Sequence, residues 1–467
     1  MYPFQHGSLT VRNGIAIALL VGCGHAIAAI PLQQWTQPNG ARVFLAESPS
    51  IPMVDVQIDF DAGSRRDPAD KAGLARLTAG MTSKGITAAP PASTAAPART
   101  GAYDAALDEN LLGEAWADLG ASFGASASSD RMSFSLRSLN YPDLLPKAVE
   151  LASRQMADPA FPEPIWQRER QRITASIREA NTKPATLAGK AFTASVYGSH
   201  PYGYDMNGES IARVEVADMK QMYRRMVEPC RAKVSIVGAV TRAQADAMVN
   251  TLLSRLPGAS TGACAPLPPV AEVAPLSAAL VRDLPFASAQ AHVLIGQPGY
   301  RRDDPDYFPL VVGNYILGGG GFVSRLTQEV REKRGLSYSV RSNFSPGLHA
   351  GAFTIGLQTR PDQAAEAVRV SKDVLARFEA DGPTEAELKG AKDNLIGGFP
   401  LLIDSNRKLL DNVASIAWNN LPLDYLETWT RQVDRVTAAD IKAAFSRKLQ
   451  PQRMVTVTVG GAAARQP

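Results

Sequence analysis

Few side chains in this 467-residue chain could do chemistry. The five histidines are His6, His25, His200, His292 and His349, and no two lie within a helical turn of one another. A helical zinc site needs two imidazoles four residues apart, so none can be assembled from them. G-x-S-x-G occurs at 120–124 and 258–262, but the first opens an alternating strand and the second lies in a Pro/Ala/Gly-rich stretch, so neither is the strand-to-helix elbow of a nucleophile, and no Cys-His pairing marks one either. His200, in "HPYG", has no partner and reads as a structural loop histidine. What remains is "REKRGLSYSV", with Arg331 near the end of a helix and Tyr338 on the strand that follows, seven residues apart. A guanidinium and a phenol can both donate to a peptide carbonyl, more strongly as it becomes an oxyanion in a water-poor cavity. The competing reading is a surface arginine beside a tyrosine half-buried at a strand start. Just before them, Gly318, Gly319, Gly320 and Gly321 form a run between two helices. It lacks both G-x-G-x-x-G and a following Lys-Ser/Thr, so it is no phosphate loop and reads as a helix-to-helix turn.

Several segments together suggest what these residues once belonged to: "AGSRRDPADKAGLARL" (62–77), "ERQRITASIREANTKP" (169–184), "SHPYGYDMNGES" (199–210), "ILGGGGFVSRLTQEVREKRGLSYSV" (316–340) and "VTAADIKAAFSRKL" (436–449). In that order they resemble the pitrilysin and insulinase-like metallopeptidases, the family that includes the mitochondrial processing peptidase. The resemblance runs from about residue 35 to the C-terminus. Catalytic relatives carry His-x-x-Glu-His on one helix, two imidazoles for zinc and a glutamate for the bound water. Here those places fall on Arg76, Ala79 and Gly80 of "GLARLTAGMTSKG" (73–85). Arginine has no free lone pair, and alanine and glycine have no donor atom. The third ligand of the family, aligned on Glu169 and Arg170, falls at Ser176, with Glu179 one turn away as the alternative. One carboxylate without two histidines is still no zinc site. The resemblance therefore implies a chain that binds no metal. It also implies that Arg331 and Tyr338 contact substrate near a scissile bond, with Arg325 and Gly318 to Gly321 as further candidate contacts.

Composition sets the class. A hydrophobic fraction of 45% and a charged fraction of 20% are those of a globular chain, and a net charge of +4 with no basic run among aromatics argues against nucleic acid. The first 30 residues differ, because Arg12 is their one charged side chain and is followed by "GIAIALLVGCGHAIAA". This pattern reads as an export signal over 1–28, too short to span a bilayer; a buried core helix is the alternative. Leu20-Val21-Gly22-Cys23 resembles a lipobox, which would leave a lipid on Cys23 and a membrane anchor, whereas Ala26-x-Ala28 resembles an ordinary cleavage site. Either route predicts a periplasmic location. Either also leaves Cys230 and Cys264 as an even pair, bridged or as two separate thiols.

The elements that must position Arg331 and Tyr338 are legible through an internal duplication. "AGSRRDPAD" (62–70) matches "PGYRRDDPD" (298–306), and "VEVADMKQMYRRMVEPCRAKVSIVG" (214–238) matches "VTAADIKAAFSRKLQPQRMVTVTVG" (436–460). Each repeat opens on an apolar strand, passes through helices and an alternating segment such as Met132, Phe134 and Leu136, and closes on a helix, a proline and a β-branched strand. The expected fold is α+β: two homologous domains, 31–256 and 278–467, each a mixed sheet covered by helices, forming a clamshell. A Pro/Ala/Gly-rich linker, 257–277, joins them as an extended hinge. Gly63 and Gly299 are 236 residues apart but Phe123 and Tyr338 are 215 apart, so the first repeat holds about 21 extra residues. The Ala/Pro-rich stretch 86–103 is their source, read as a low-complexity surface loop. Pairing Phe123 with Tyr338 also sets Trp116 opposite Arg331.

The reading that follows is an exported, non-catalytic, substrate-binding subunit of a heterodimeric zinc peptidase. A homologue with an intact His-x-x-Glu-His would supply the zinc. The alternative is a peptide-binding or scaffold protein without a protease partner.

Overall fold

A computed structural model describes residues 31–88, 104–258 and 262–461. The segment read as an export signal, with Cys23, and most of the Ala/Pro-rich insert lie outside the described residues. The described residues form two mixed sheets. The first has β1 (Leu32–Thr36), β2 (Arg42–Glu47), β3 (Met53–Phe60), β4 (Ser122–Ala127), β5 (Met132–Leu139) and β6 (Lys233–Gly238), ordered β1-β2-β6-β3-β5-β4. The second has β7 (Leu280–Leu284), β8 (Ala291–Tyr300), β9 (Val340–Phe344), β10 (Gly351–Thr359) and β11 (Val455–Val459), ordered β7-β11-β8-β10-β9. The order β2-β6-β3-β5-β4 maps onto β7-β11-β8-β10-β9. β2 with β6 and β7 with β11 are the parallel pairs, and the others are antiparallel. The repeat seen in the sequence is thus a repeat of topology.

Alternation fixes which face of each strand is inward. On β5, Met132, Phe134 and Leu136 are buried against the first core while Ser133, Ser135 and Arg137 look the other way. β3 differs, being buried on both faces, with Val54, Val56, Ile58 and Phe60 in the core and Asp55, Gln57 and Asp59 beneath a helix. That helix, Asn406–Asn419, comes from the second repeat and lies on β3, β6 and β2. Its counterpart from the first repeat, Pro184–Tyr197, lies on β8 and β11 of the second sheet. There Ala188, Phe192 and Val196 cluster with Val455, Val457 and Val459. The repeats therefore exchange a helix, which two separate domains would not do. Gly296 makes room for the exchange, because a Cβ there would meet the Phe353 carbonyl oxygen at 2.0 Å and the Phe192 ring at 2.9 Å.

Two boundary expectations are corrected. Ile86 belongs to the core, not to the surface loop. It is 1% exposed and pairs with Leu107 through Ile86 N–H to Leu107 O (2.8 Å) and Leu107 N–H to Ile86 O (3.1 Å), closing the insert at its base. The linker is extended as expected but fixed in place rather than hinge-like. Arg66 donates to Pro268 O (2.5 Å), Arg231 to Ala265 O (2.6 Å) and His200 Nε2 to Ala271 O (3.0 Å), while Glu272 accepts from Ala350 N–H (2.9 Å). Cys230 and Cys264 form a disulfide, with Cα atoms 5.8 Å apart, that fastens the start of the linker to the turn before β6.

Candidate functional site

The degenerate zinc helix is Leu74–Met81. It starts at Gly73, whose φ of +101° and contact with Met206 suit glycine alone. The Asp67 carboxylate accepts from the N–H groups of Gly73 (2.8 Å) and Ala75 (2.9 Å), satisfying donors that a helix start leaves unpaired. Burial pushes the Asp67 carboxyl up to about 7, outweighing those amides. On this helix Arg76 and Gly80 are exposed and Ala79 is buried. Facing them runs helix Glu163–Ala180, which turns Glu169, Arg172, Ile173, Ser176, Ile177 and Ala180 to one side at helical spacing. Arg76, Gly80 and Ser176 line one pocket of about 500 Å³, so the three positions aligned to the family's ligands do converge in space. Glu179, the alternative third position, is not on that pocket wall; it pairs with Lys183 at 3.2 Å and is 74% exposed.

This donor set does not fit zinc. Glu169 is the pocket's one carboxylate, and it is engaged by Arg172 (2.7 Å), Arg168 (3.5 Å) and Lys84 (3.7 Å). Burial would raise the Glu169 carboxyl, but the Arg172 hydrogen bond and the nearby cations outweigh it and hold it low. Lys84 and Arg168 also pair with Glu109 at 3.3 and 2.7 Å. A cluster of ammonium, guanidinium and carboxylate groups stands where the family sets imidazoles around a dication. Sequence reasoning missed it, although Glu169 and Arg172 at i, i+3 were its visible signal. Among the described residues, the side chains close enough to share a metal are Glu228, Cys230 and Cys264, but their two sulfurs are spent in the disulfide.

The second repeat holds the other candidates. Arg331 is the penultimate residue of a π-helical segment, Thr327–Glu332, and Tyr338 lies two residues before β9 rather than on it. The Arg331 guanidinium lies 4.7 Å from the Tyr338 ring centre and 4.8 Å from that of Phe322, a cation over aromatic faces. Tyr338 is 83% exposed, and Phe322 and Val323 beside it are also exposed. In the first repeat the matched residues make the same contact with other chemistry. Trp116 stacks on Phe123 at 5.6 Å, and the Trp116 indole N–H donates to Gln155 (2.8 Å) in the core. β4, which carries Phe123, and β9, which follows Tyr338, are the outer strands of their sheets.

The remaining candidates resolve individually. Arg325 is turned inward, donating to Glu387 (2.7 Å) and Gly382 O (2.9 Å) over the Phe378 ring, as the packing alternative expects. Gly318 is buried against β9, where a Cβ would meet Ser342 N at 2.5 Å, so packing demands the glycine and removes it from the candidate contacts. Gly319 and Gly321 are exposed, Gly320 is half-buried, and Gly321 has φ +62°. His200 is buried, accepts at Nδ1 from Tyr202 N–H (3.1 Å) and donates from Nε2 to Ala271 O (3.0 Å). Burial, with His349 adjacent, holds its pKa low, so it is a neutral linker anchor.

Known proteins agree with this geometry. A sequence model of the peptidase M16 inactive domain matches residues 213–395. The crystal structure of a peptidase M16 inactive domain from Pseudomonas fluorescens is 32% identical, covers 93% of this chain and 99% of its own, and superposes with a TM-score of 0.83. A curated uncharacterized zinc protease of Mycobacterium tuberculosis is 26% identical over 437 residues, 93% of this chain and 94% of that protein. The non-peptidase homolog YmxG of Helicobacter pylori is 25% identical over 436 residues, 91% of this chain and 93% of that protein. With its ligand positions occupied by Arg76, Gly80 and Ser176, this chain belongs to the M16 peptidase family as a non-catalytic member.

Proposed function

We propose that this chain is the substrate-binding subunit of an exported heterodimeric zinc peptidase. A homologue bearing His-x-x-Glu-His binds the zinc and activates the water, and this chain closes the cavity around an extended peptide. The observation that carries the reading is the Arg331 and Tyr338 pair, a half-buried guanidinium paired with Glu332 (3.2 Å) and stacked on a solvent-facing phenol ring, where the first repeat buries Trp116 on Phe123. A stack needed only for packing would be buried in both repeats. Beside it, β9 is the outer strand of its sheet, an edge of the kind that takes a peptide as an added strand, with Asn314 donating to Ser342 O (3.3 Å) at its middle. The guanidinium and phenol then donate to the carbonyl that becomes an oxyanion on the partner's metal. Purified alone, the chain is expected to show neither zinc nor proteolysis. Mixed with its partner, Arg331→Ala is expected to lower kcat/KM on the order of tenfold or more. Full activity of the partner without this chain would sink the reading.

A further inference from the structure

The pocket at the degenerate zinc helix has no part in that reading, yet it is neither filled nor neutral. Three cations line it, Arg76, Lys84 and Arg172, against the single carboxylate of Glu169. Lys84 and Arg172 are engaged by Glu109 and Glu169. Arg76 makes no hydrogen bond or ion pair among the described residues, so its guanidinium stands exposed at the pocket wall with all its donors available. Beneath these charges lie Leu77, Met81, Trp166, Ile173, Ile177 and Met206, an apolar floor. Ser176 and Ser83, the latter donating to Gly80 O (3.0 Å) with its oxygen left to accept, add hydroxyls to the wall.

We infer that this pocket binds the C-terminal end of a peptide, the carboxylate on Arg76 and the last side chain on the apolar floor. A guanidinium takes a carboxylate through two parallel N–H bonds, and the local excess of positive charge favours an anion. The carboxylate and side chain of a terminal residue diverge from one Cα, which suits a cationic mouth directly above an apolar floor. An acidic side chain within a peptide would bring its charge with only methylenes and leave the floor unfilled. The serine hydroxyls can take the amide groups of the preceding residue, which a fatty acid lacks. Arg76 and Gly80 stand at the two histidine places, so the anion-binding group and the open space at Gly80 both lie where the family's ligands would be. This site acts in the chain alone and does not depend on Arg331, Tyr338 or a partner.

Calorimetric titration of the full chain tests it, with N-acetyl-tetraalanyl-leucine as probe. Saturable binding is expected, weakened on the order of tenfold when the carboxylate is converted to the amide. Arg76→Gln should weaken the acid by a similar factor and leave the amide nearly unchanged. Ser176→Glu, at an exposed position, should weaken the acid through like-charge repulsion. Arg331→Ala should change neither value, which separates this site from the one proposed above. Equal affinity for acid and amide, no saturable binding, or tighter binding of decanoate or of N-acetyl-tetraalanyl-glutamate amide would overturn the inference.

Discussion

At the scale of residues, the two repeats put one contact to two uses. Trp116 on Phe123 contributes apolar burial, while Tyr338 keeps a hydroxyl in solvent under the half-buried Arg331 charge. Arg325, so close in sequence to Arg331, serves folding instead. Its guanidinium binds Glu387, which with Thr384 caps helix Glu385–Gly398. The hydrogen bonds from Arg325, helped by Thr384, hold the Glu387 carboxyl at about 2 against the opposing effect of burial. Because the folded pKa lies below the ordinary 4.5, this pair stabilises the fold fully above pH 4.5 and loses its contribution as pH falls toward about 2. Thermal melts across that range should show the native protein losing about 1–2 kcal/mol more than Glu387→Gln does, after allowance for solvent screening. Parallel pH profiles would show that the pair contributes nothing.

At the scale of elements, the linker shows how little a composition reveals about contacts. Pro, Ala and Gly without periodicity predict an extended path correctly, but not the carbonyls of Ala265, Pro268 and Ala271 taken by three basic side chains. The disulfide closes a loop of 34 residues, and in the chain-entropy account such a loop is worth about 3–4 kcal/mol. Cys230→Ser with Cys264→Ser should therefore lower the unfolding free energy by an amount of that order, measured by denaturant titration. A midpoint unchanged from that of the oxidised protein would rule out a stabilising bridge. Topology was legible for a different reason. Matched motifs in the same order force matched strands, and the alternation of β5 names its inward face without a partner. The convergence of Arg76, Gly80 and Ser176 was legible only through the family, since nothing local says that residue 76 meets residue 176. Which sheet a helix covers was hidden altogether. An apolar stripe on Pro184–Tyr197 says that it must be buried, and nothing in its spacing says that β8 and β11 of the other repeat will bury it.

At the scale of the whole molecule, that exchange decides what can move. Helix Pro184–Tyr197 covers the second sheet and helix Asn406–Asn419 covers the first, where Trp418 lies under the Arg131 and Lys233 cations and Lys233 donates to Trp418 O (2.9 Å). Parting the repeats would uncover both sheets at once, together with the buried Asp55, Gln57 and Asp59 of β3. In the proposed function, the cavity that closes around a peptide would then form between this chain and its partner, not between its own repeats. The same coupling predicts one cooperative unfolding transition, although chains of this length commonly unfold domain by domain. Phe192 is the sharpest probe, because it belongs to the first repeat in sequence and to the second in packing. Phe192→Ala should cost about 3–5 kcal/mol, as emptying a buried aromatic site does, and should lower the melting of the whole chain without splitting it. In calorimetry the native protein and the variant should each give a single endotherm with matching calorimetric and van't Hoff enthalpies. Two endotherms, with only one displaced by the substitution, would mean that the repeats unfold independently and that the exchanged helices do not bind them into one body.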